Sequence, residues 1–383
     1  MNLAEILSNE ELRNHEFPVT RERIFLAHAG DCPLPRRVVE AISNYAKLAA
    51  TADQETVIYP RILEETRQLA ARMLNSKPEE VSLVGPTSLA LSLIANGINF
   101  RKSDNILIYF DDYPSNVYPW MALAEKGVQV RLLNIRELGQ IRAVDVMGQV
   151  DENTKLVALA SCHFVTGARI DYQAIGKFLR ERNILFCLDA IQTLGAFPTT
   201  VENVDFLAAD AHKWLLGPCA AGLMFVKHDL QDKLNPHIYG WHNVRCANYV
   251  AAEEIVFRRD AYRFEAGTHN LLGIVGLHAA LQMLLELGIE NIAKELLRKR
   301  TYLSTMLAAK GYTVLGLKNG PETSSGITTF FKPDADLPAL HQKLTDANIV
   351  TSLRFDRKGH RYIRLSPHFY NTDAELQRLL DLV

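Results

Sequence analysis

The sequence predicts an α/β protein with two domains: a large domain with a mostly parallel central sheet flanked by helices, and a smaller α+β C-terminal domain. Three observations support this prediction. The chain has 383 residues, more than a single hydrophobic core usually holds. Between about residues 60 and 225, helical patterns alternate with short apolar runs, which is typical of a parallel sheet. A long helical pattern follows at 271–307, with further strand candidates after it.

The individual elements are predicted from the pattern of apolar residues. In helices these residues recur every three or four positions, and in strands they form continuous runs or alternate with polar residues. We place the large domain at residues 20–270 and the small domain at 271–383 together with 1–19, joined by the long helix. The predicted elements before it are, in chain order, helix 61–74, strand 81–84, helix 89–98, strands 105–110, 128–133 and 156–159, helix 172–182, and strands 184–188 and 204–208. The later strand candidates are 327–331 and 361–365.

Composition and charge exclude several classes of protein. Hydrophobic residues make up 48% and charged residues 22%, which excludes the disordered class. A net charge of -2 without a basic stripe argues against a nucleic-acid partner. The N-terminus lacks a signal-peptide pattern and no run of 18 apolar residues occurs, so we expect a cytoplasmic protein without a membrane partner. Five cysteines without Cys-x-x-Cys spacing indicate neither disulfides nor a metal site.

Two strand ends carry the residue types that point to chemistry. Asp189 ends one apolar strand with Gln192 three residues later, and the next strand leads into a turn with His212 and Lys213. A lysine amine must be partly neutral to attack an aldehyde, and burial lowers its pKa toward that condition. A carboxylate beside a pyridine nitrogen keeps that nitrogen protonated, so that the ring accepts electrons from a bound amino acid. Taken alone, Asp189 fits a helix N-cap equally well, and Lys213 fits a solvated lysine.

Two further turns follow strands of the large domain. Thr87 and Ser88 come after Gly85 at the start of a helix, where hydroxyls and backbone N–H groups suit a phosphate. A plain N-cap explains the same two residues. Tyr113 follows the next strand, and its ring either stacks on a planar cofactor or simply forms part of a turn.

Together these segments resemble the class V aminotransferase family of fold-type I pyridoxal 5'-phosphate (PLP) enzymes, in order from Ile24 to Leu382. This family includes cysteine desulfurases, selenocysteine lyases, kynureninases and isopenicillin-N-epimerase-like proteins. The resemblance implies that Lys213 holds PLP as a Schiff base and that Asp189 keeps the pyridine nitrogen protonated, which makes these the catalytic residues. It further implies that Gln192 contacts the ring hydroxyl and Tyr113 stacks over the ring.

The resemblance also implies contacts at the phosphate and at the substrate. His212, Thr87 and Ser88 would lie near the phosphate. Thr268 would reach the phosphate of a partner subunit, which implies a homodimer, although it also fits a helix N-cap before the long helical stretch. Arg364 would bind the carboxylate of a small amino-acid substrate, a task that suits its planar fork. Without the resemblance, Arg364 reads as a surface ion-pair residue.

The sequence departs from the family pattern at three points. No cysteine lies between Thr351 and Arg361, where desulfurases carry a persulfide-forming thiol, so desulfurase activity is not expected. Asp210 stands where many desulfurases have a phosphate-binding Ser, so that either Asp210 turns toward His212 or the phosphate is held differently. Phe164 replaces an Asn that is common in desulfurases.

The sequence therefore predicts a PLP-dependent enzyme that acts on a small L-amino acid, by transamination or by carbon-sulfur β-elimination. The alternatives are a PLP-dependent epimerase and a non-catalytic PLP-fold binding or regulatory protein. A dehydrogenase is not expected, because no Gly-x-Gly-x-x-Gly follows an early strand. The turn at Gly85 likewise lacks the lysine of a phosphate-binding Walker A loop.

Overall fold

The computed structural model describes residues 2–383 and arranges their strands in three sheets. The strands are β1 (Ile24–Phe25), β2 (Val81–Val84), β3 (Asn105–Ile108), β4 (Gln129–Leu132), β5 (Thr154–Ala160), β6 (Leu185–Asp189), β7 (Phe206–Ala209), β8 (Gly222–Val226), β9 (Thr313–Val314), β10 (Thr328–Phe331), β11 (Ile349–Val350), β12 (Ser352–Phe355) and β13 (Arg361–Leu365).

The central sheet has seven strands in the order β2-β8-β7-β6-β5-β3-β4. Strands β3 to β7 all run parallel to one another, whereas β8 is antiparallel to both β2 and β7. The predicted mostly parallel sheet is therefore confirmed, while β8 is a strand that the sequence pattern did not reveal. Strands β5, β6 and β7 are buried almost throughout, which explains why they read as continuous apolar runs.

Helices cover both faces of the central sheet and build much of the remaining chain. Their bounds are α1 (Leu3–Ser8), α2 (Glu10–Glu16), α3 (Arg36–Ala49), α4 (Arg61–Leu74), α5 (Thr87–Gly97), α6 (Tyr118–Met121), α7 (Ala143–Met147), α8 (Tyr172–Arg180), α9 (Leu271–Leu287), α10 (Ile289–Ala309), α11 (Leu337–Asp346) and α12 (Asp373–Leu382).

The long helical stretch predicted at 271–307 consists of two helices, α9 and α10. They are separated by Gly288, whose φ of 81° lies in the left-handed region that favours glycine, and they are bent by 79°. Helix α9 packs against α3 and α4. Across residues 2–383, no single helix is both long enough and apolar enough to cross a membrane. Helices α9 and α10 reach the required length and apolar character only when they are taken together as a bent pair.

The C-terminal part contains an antiparallel sheet in the order β12-β13-β10-β9. The chain near the N-terminus joins this part, because β1 pairs in parallel with β11 and Ala27 forms a bridge with Ser366. His28 continues the connection, with its Nδ1 atom 2.9 Å from the carbonyl oxygen of Ser366. Because of this pairing, the turn at Gly30 lies next to the side chains of Arg354 on β12 and Arg364 on β13.

Candidate active site

Asp189 lies at the carboxyl end of β6, in the middle of the central sheet. Its side chain is only 2% exposed, and its Oδ1 atom accepts a hydrogen bond from the backbone N–H of Ile191 at 3.0 Å. Burial raises the pKa of Asp189 to about 6, against the opposing effects of the Ile191 hydrogen bond and the positive charge of Lys213. The Asp189 carboxylate is therefore close enough to Lys213 to interact with its charge, as the sequence predicts.

Lys213 lies in the loop after β7 and is 6% exposed. Its Nζ atom is 5.2 Å from the centre of the Tyr113 ring and makes no hydrogen bond with any residue in the range 2–383. Burial lowers the pKa of Lys213 to about 8; the charge of Asp189 opposes this shift, while Arg364 and Arg354 add to it. The amine is thus partly neutral at physiological pH, which excludes the alternative of an ordinary solvated lysine.

The turn after β3 presents Tyr113 to this amine and is held by a buried carboxylate, Asp112. The Asp112 carboxylate accepts hydrogen bonds from the backbone N–H of Tyr113 at 2.7 Å, from Asn116 Nδ2 at 3.0 Å and from the backbone N–H of Ala160 at 3.2 Å. Burial, together with the charge of Asp189, raises the pKa of Asp112 to about 7. Sequence reasoning did not single out Asp112, because a polar residue in a turn carries no sign of its burial.

Gln192 connects three separate segments around the site. Its Nε2 atom donates to the carbonyl oxygen of Ala29 at 3.0 Å, and its Oε1 atom accepts from Trp214 Nε1 at 2.9 Å. The amide retains a second N–H group and a second lone pair beyond these two bonds. The structure therefore places Gln192 between the N-terminal segment and the loop that carries Lys213.

Asp210 turns toward His212, which is the first of the two alternatives that the sequence left open. Its Oδ2 atom lies 2.6 Å from His212 Nδ1. The same carboxylate accepts three backbone hydrogen bonds, which are donated by Ala211, Ala220 and Ala221 at 2.9, 3.1 and 3.0 Å. Asp210 therefore stabilises the loop around Lys213 and orients the ring of His212.

The predicted phosphate residues lie at the beginning of α5 and in the segment before α9. Thr87 is the first residue of α5, and its Oγ1 atom accepts a hydrogen bond from the backbone N–H of Asp210 at 2.9 Å. Ser88 follows it in the first turn of the helix. Thr268 is exposed and lines a surface cavity together with Gly85. Thr87 is therefore joined directly to the Lys213 loop, whereas Thr268 faces the outside of the chain.

The segment that carries Thr268 is anchored by a buried carboxylate, Glu265. Its Oε1 atom accepts from the backbone N–H of Leu83 at 2.7 Å, and its Oε2 atom forms an ion pair with Arg67 and lies 2.5 Å from His269 Nε2. Burial opposes ionisation, yet Arg67 and His269 keep the pKa of Glu265 below its usual value. Glu265, His269 and His242 have ligand atoms within 4.8 Å of one another, but the carboxylate oxygens already have these partners.

Arg364 lies on β13 and is 1% exposed. Its Nη1 atom donates to the carbonyl oxygen of Phe164 at 2.7 Å, and its Nη2 atom donates to Ser352 Oγ at 3.4 Å, while its buried Nε atom has no partner. Burial lowers the pKa of Arg364 to about 9, and the charge of Arg354 adds to this effect. Arg364 is therefore not a surface ion-pair residue.

Phe164, which departs from the family pattern, contributes to the site in two ways. Its carbonyl oxygen holds Arg364, and its ring packs edge-on against Tyr113 with ring centres 5.4 Å apart. The buried Nε atom of Arg364 has no hydrogen-bond partner among the described residues. A buried amine, a buried carboxylate and a guanidinium without an acidic partner are the groups that a PLP-bound amino acid requires, so the residues fit this cofactor.

Comparison with known proteins decides the family. The sequence model of the class-V aminotransferases matches residues 24–379. The chain belongs to this family. Enzymes of this family depend on PLP, and the predicted fold, cofactor and enzyme class are confirmed. The roles of the individual site residues stay predictions.

Relatives in the family cover almost the whole chain. A probable cysteine desulfurase of Methanothermobacter thermautotrophicus is 28% identical, over 97% of this chain and 96% of that protein. A probable cysteine desulfurase of Pyrococcus abyssi is 25% identical, over 98% of this chain and 96% of that protein.

Solved structures show the same fold. The apo cysteine desulfurase of Thermococcus onnurineus NA1 superimposes with a TM-score of 0.90 at 24% identity, covering 98% of this chain and 96% of that one. The cystine C-S lyase C-DES, in complex with its product cysteine persulfide, superimposes with a TM-score of 0.86 at 23% identity, covering 95% of this chain and 98% of that one.

Proposed function

We propose that this class-V aminotransferase catalyses carbon-sulfur β-elimination on an L-amino acid, with Lys213 as the attachment site of PLP. The observation that carries the proposal is the amine of Lys213, which is buried, has no hydrogen-bond partner and has its pKa lowered to about 8. Such an amine attacks an aldehyde at neutral pH and afterwards accepts a proton from carbon. A solvated lysine, with a pKa near 10.4, does neither efficiently.

The surrounding residues each support one part of this chemistry. PLP, when bound, supplies an electron-accepting ring that makes the α-proton of an attached amino acid acidic. The Asp189 carboxylate, at the end of β6, holds a proton on the ring nitrogen. Tyr113 covers the Lys213 amine, and Arg364 binds the α-carboxylate of the substrate and so fixes the α-carbon within reach of Lys213 Nζ.

The loops at the ends of β2 and β7 supply the phosphate contacts. His212, oriented through Nδ1 by Asp210, would hold the phosphate together with Thr87 and Ser88 at the helix start of α5. Thr268 completes the site of a partner subunit, so the enzyme is a homodimer. The exposure of Thr268 on a segment anchored by Glu265 supports this assignment.

The five free cysteines support a cytoplasmic location.

Elimination proceeds by loss of a proton and a thiolate from adjacent carbons. Lys213 Nζ takes the α-proton, and the bond between the β-carbon and sulfur breaks. The sulfur leaves with the electron pair as a thiolate and accepts that proton from Lys213 to become a thiol. Water then hydrolyses the released enamine to pyruvate and ammonia. The relatives are named for sulfur amino-acid chemistry. Because no cysteine lies between Thr351 and Arg361 to accept sulfur, the thiol leaves directly.

Incubation of the PLP-loaded enzyme with S-substituted cysteines tests this function. We expect a thiol, pyruvate and ammonia in equal amounts. Release of a different keto acid with an amino group left on the cofactor would mean transamination, and appearance of the D-amino acid would mean epimerisation; either result refutes β-elimination.

Borohydride reduction followed by peptide mapping tests the attachment site. We expect the reduced cofactor on Lys213 in the wild type and no cofactor link in the Lys213→Ala variant. Lys227→Ala is the matched control, because Lys227 follows the neighbouring strand β8 and pairs with Asp205 outside the site. A reduced cofactor on any other lysine of the wild type would refute the assignment.

A further inference from the structure

A second arginine, Arg354, lies on the same face of the C-terminal sheet as Arg364. Side chains alternate between the two faces of a strand, so Arg354 and Ser352 of β12 share one face. Ser352 is the register partner of Arg364, and Arg354 is the register partner of Tyr362. The four side chains of these residues therefore point to the same side, toward the turn at Gly30.

The two guanidinium groups meet at Gly30. A Cβ atom on Gly30 would lie 3.1 Å from Arg354 Nη2 and 3.3 Å from Arg364 Nη2. Both nitrogen atoms thus border the same point, and a side chain on Gly30 would require the two guanidinium groups to move by a few tenths of an ångström. Two positive charges are held close together at the entrance to the site.

Nothing in the described chain neutralises these two charges. Neither arginine forms an ion pair with an acidic side chain of residues 2–383, and the Nε atoms of both are buried without a hydrogen-bond partner. Burial lowers the pKa of Arg354, and Arg354 in turn helps to lower the pKa of Lys213. Like charges in a half-buried position destabilise the fold, so the arrangement indicates an anion that binds there.

The space beside Arg354 is large enough to extend the site. A surface cavity begins at Gly30, Ser352 and Arg354 and continues along β1 to Phe25 and Arg23, and the acidic residue Asp31 also lines it. Its walls are formed by the N-terminal segment on one side and by β12 on the other. Gly30 lines this cavity and borders both guanidinium groups, so a substrate whose α-carboxylate is bound by Arg364 has room to direct its side chain past Arg354.

We propose that Arg354 binds a second carboxylate of the substrate and selects amino acids whose side chain ends in a carboxylate. This inference rests on the proposed function, because it takes Arg364 as the partner of the α-carboxylate. A guanidinium forms two parallel hydrogen bonds to a carboxylate, which gives both affinity and orientation. The sulfur leaving group would accordingly carry the second carboxylate.

Calorimetric titration of the PLP-loaded enzyme with two unreactive probes tests the proposal. Succinate carries two carboxylates, and butyrate has the same number of carbon atoms and one carboxylate. We expect Arg354→Gln to weaken the binding of succinate about tenfold or more and the binding of butyrate at most about threefold. Arg357→Gln is the matched control, because it removes the same charge from an exposed residue that pairs with Asp111. It should change neither affinity by more than about twofold.

Three results overturn the proposal. Equal weakening of both probes by Arg354→Gln would mean that both arginines bind one carboxylate, and no weakening of either would mean that Arg354 binds no anion. A lower melting temperature of ligand-free Arg354→Gln would mean that Arg354 braces the fold, whereas removal of a repelled charge should leave that temperature unchanged or raise it. Borohydride mapping of the wild type in the same samples reports separately on Lys213, so a failure of the proposed function is recognised independently.

Discussion

The amine of Lys213 should titrate near pH 8 in the cofactor-free protein, and two substitutions should move this midpoint in opposite directions. Asp189→Asn removes the charge that raises the pKa of Lys213, so the midpoint should fall below 8. Arg354→Gln removes a charge that lowers this pKa, so the midpoint should rise. The opposite signs matter because a general loosening of the fold would shift both variants the same way, toward the value of a solvated lysine.

The magnitude follows from the burial of the amine. A decrease of the pKa from 10.5 to about 8 corresponds to about 3 kcal/mol of preference for the neutral form. At pH 7.5 about a quarter of the amine is then neutral, against about one part in a thousand for an unshifted lysine. Because the unfolded chain binds more protons between pH 8 and 10.5, the contribution of Lys213 to the free energy of unfolding rises with pH across that window.

Competitive acetylation with a trace of acetic anhydride, read by mass spectrometry at each pH, measures this titration at one lysine. The exposed Lys102 in the same digest serves as the internal reference for the reagent. The cofactor-free protein is used so that ionisations of PLP do not enter the profile. A midpoint above pH 10 for wild-type Lys213, or shifts of the same sign in Asp189→Asn and Arg354→Gln, would refute the reasoning.

Four further predictions follow from the site. Asp189→Asn should still bind PLP, by its absorbance, but lose at least about a hundredfold in turnover, because an amide does not hold the ring nitrogen protonated; near wild-type turnover would contradict this role. Arg364→Ala should lower kcat/KM by ~2 to 5 kcal/mol, and an amine without the carboxylate should react equally with variant and wild type. Gly30→Ala should raise KM for amino acids, because its Cβ meets both guanidinium groups; an unchanged KM would mean that the arginines move freely. Each alanine variant at a cysteine should keep its turnover, and loss in a folded variant would reveal a thiol mechanism; the positions are Cys32, Cys162, Cys187, Cys219 and Cys246.

Much of the central sheet was predictable from local sequence patterns. Strands β5 to β7 are buried on both faces, so each reads as an unbroken apolar run. The parallel order of these strands brings their carboxyl ends to one edge, which is why Asp189 and Lys213 were predicted to lie together. The family resemblance then supplied the cofactor, since the spacing of Asp189, Gln192 and Lys213 is specific.

Other features are set by pairing between distant segments, and the local pattern does not reveal them. The segment of β8 is apolar, but its antiparallel direction depends on its contacts with β2 and β7. The bend at Gly288 interrupts a helical pattern that reads as continuous. The orientation of Asp210 toward His212 follows from the folded loop, which presents three backbone N–H groups to the carboxylate.

The sequence by itself thus determined the fold class and the pairing of Asp189 with Lys213 through its pattern of apolar strands, and its resemblance to the class V family implied the family and the cofactor. Only the tertiary structure decided the charge balance of the site. Gly30 is more than 300 residues from Arg354 and Arg364 in the chain, and the three meet through the pairing of β1 with β11 and of β12 with β13. The physical reason is that pKa values and unpaired charges depend on burial and on distances through space, and neither is a property of neighbouring letters in the sequence.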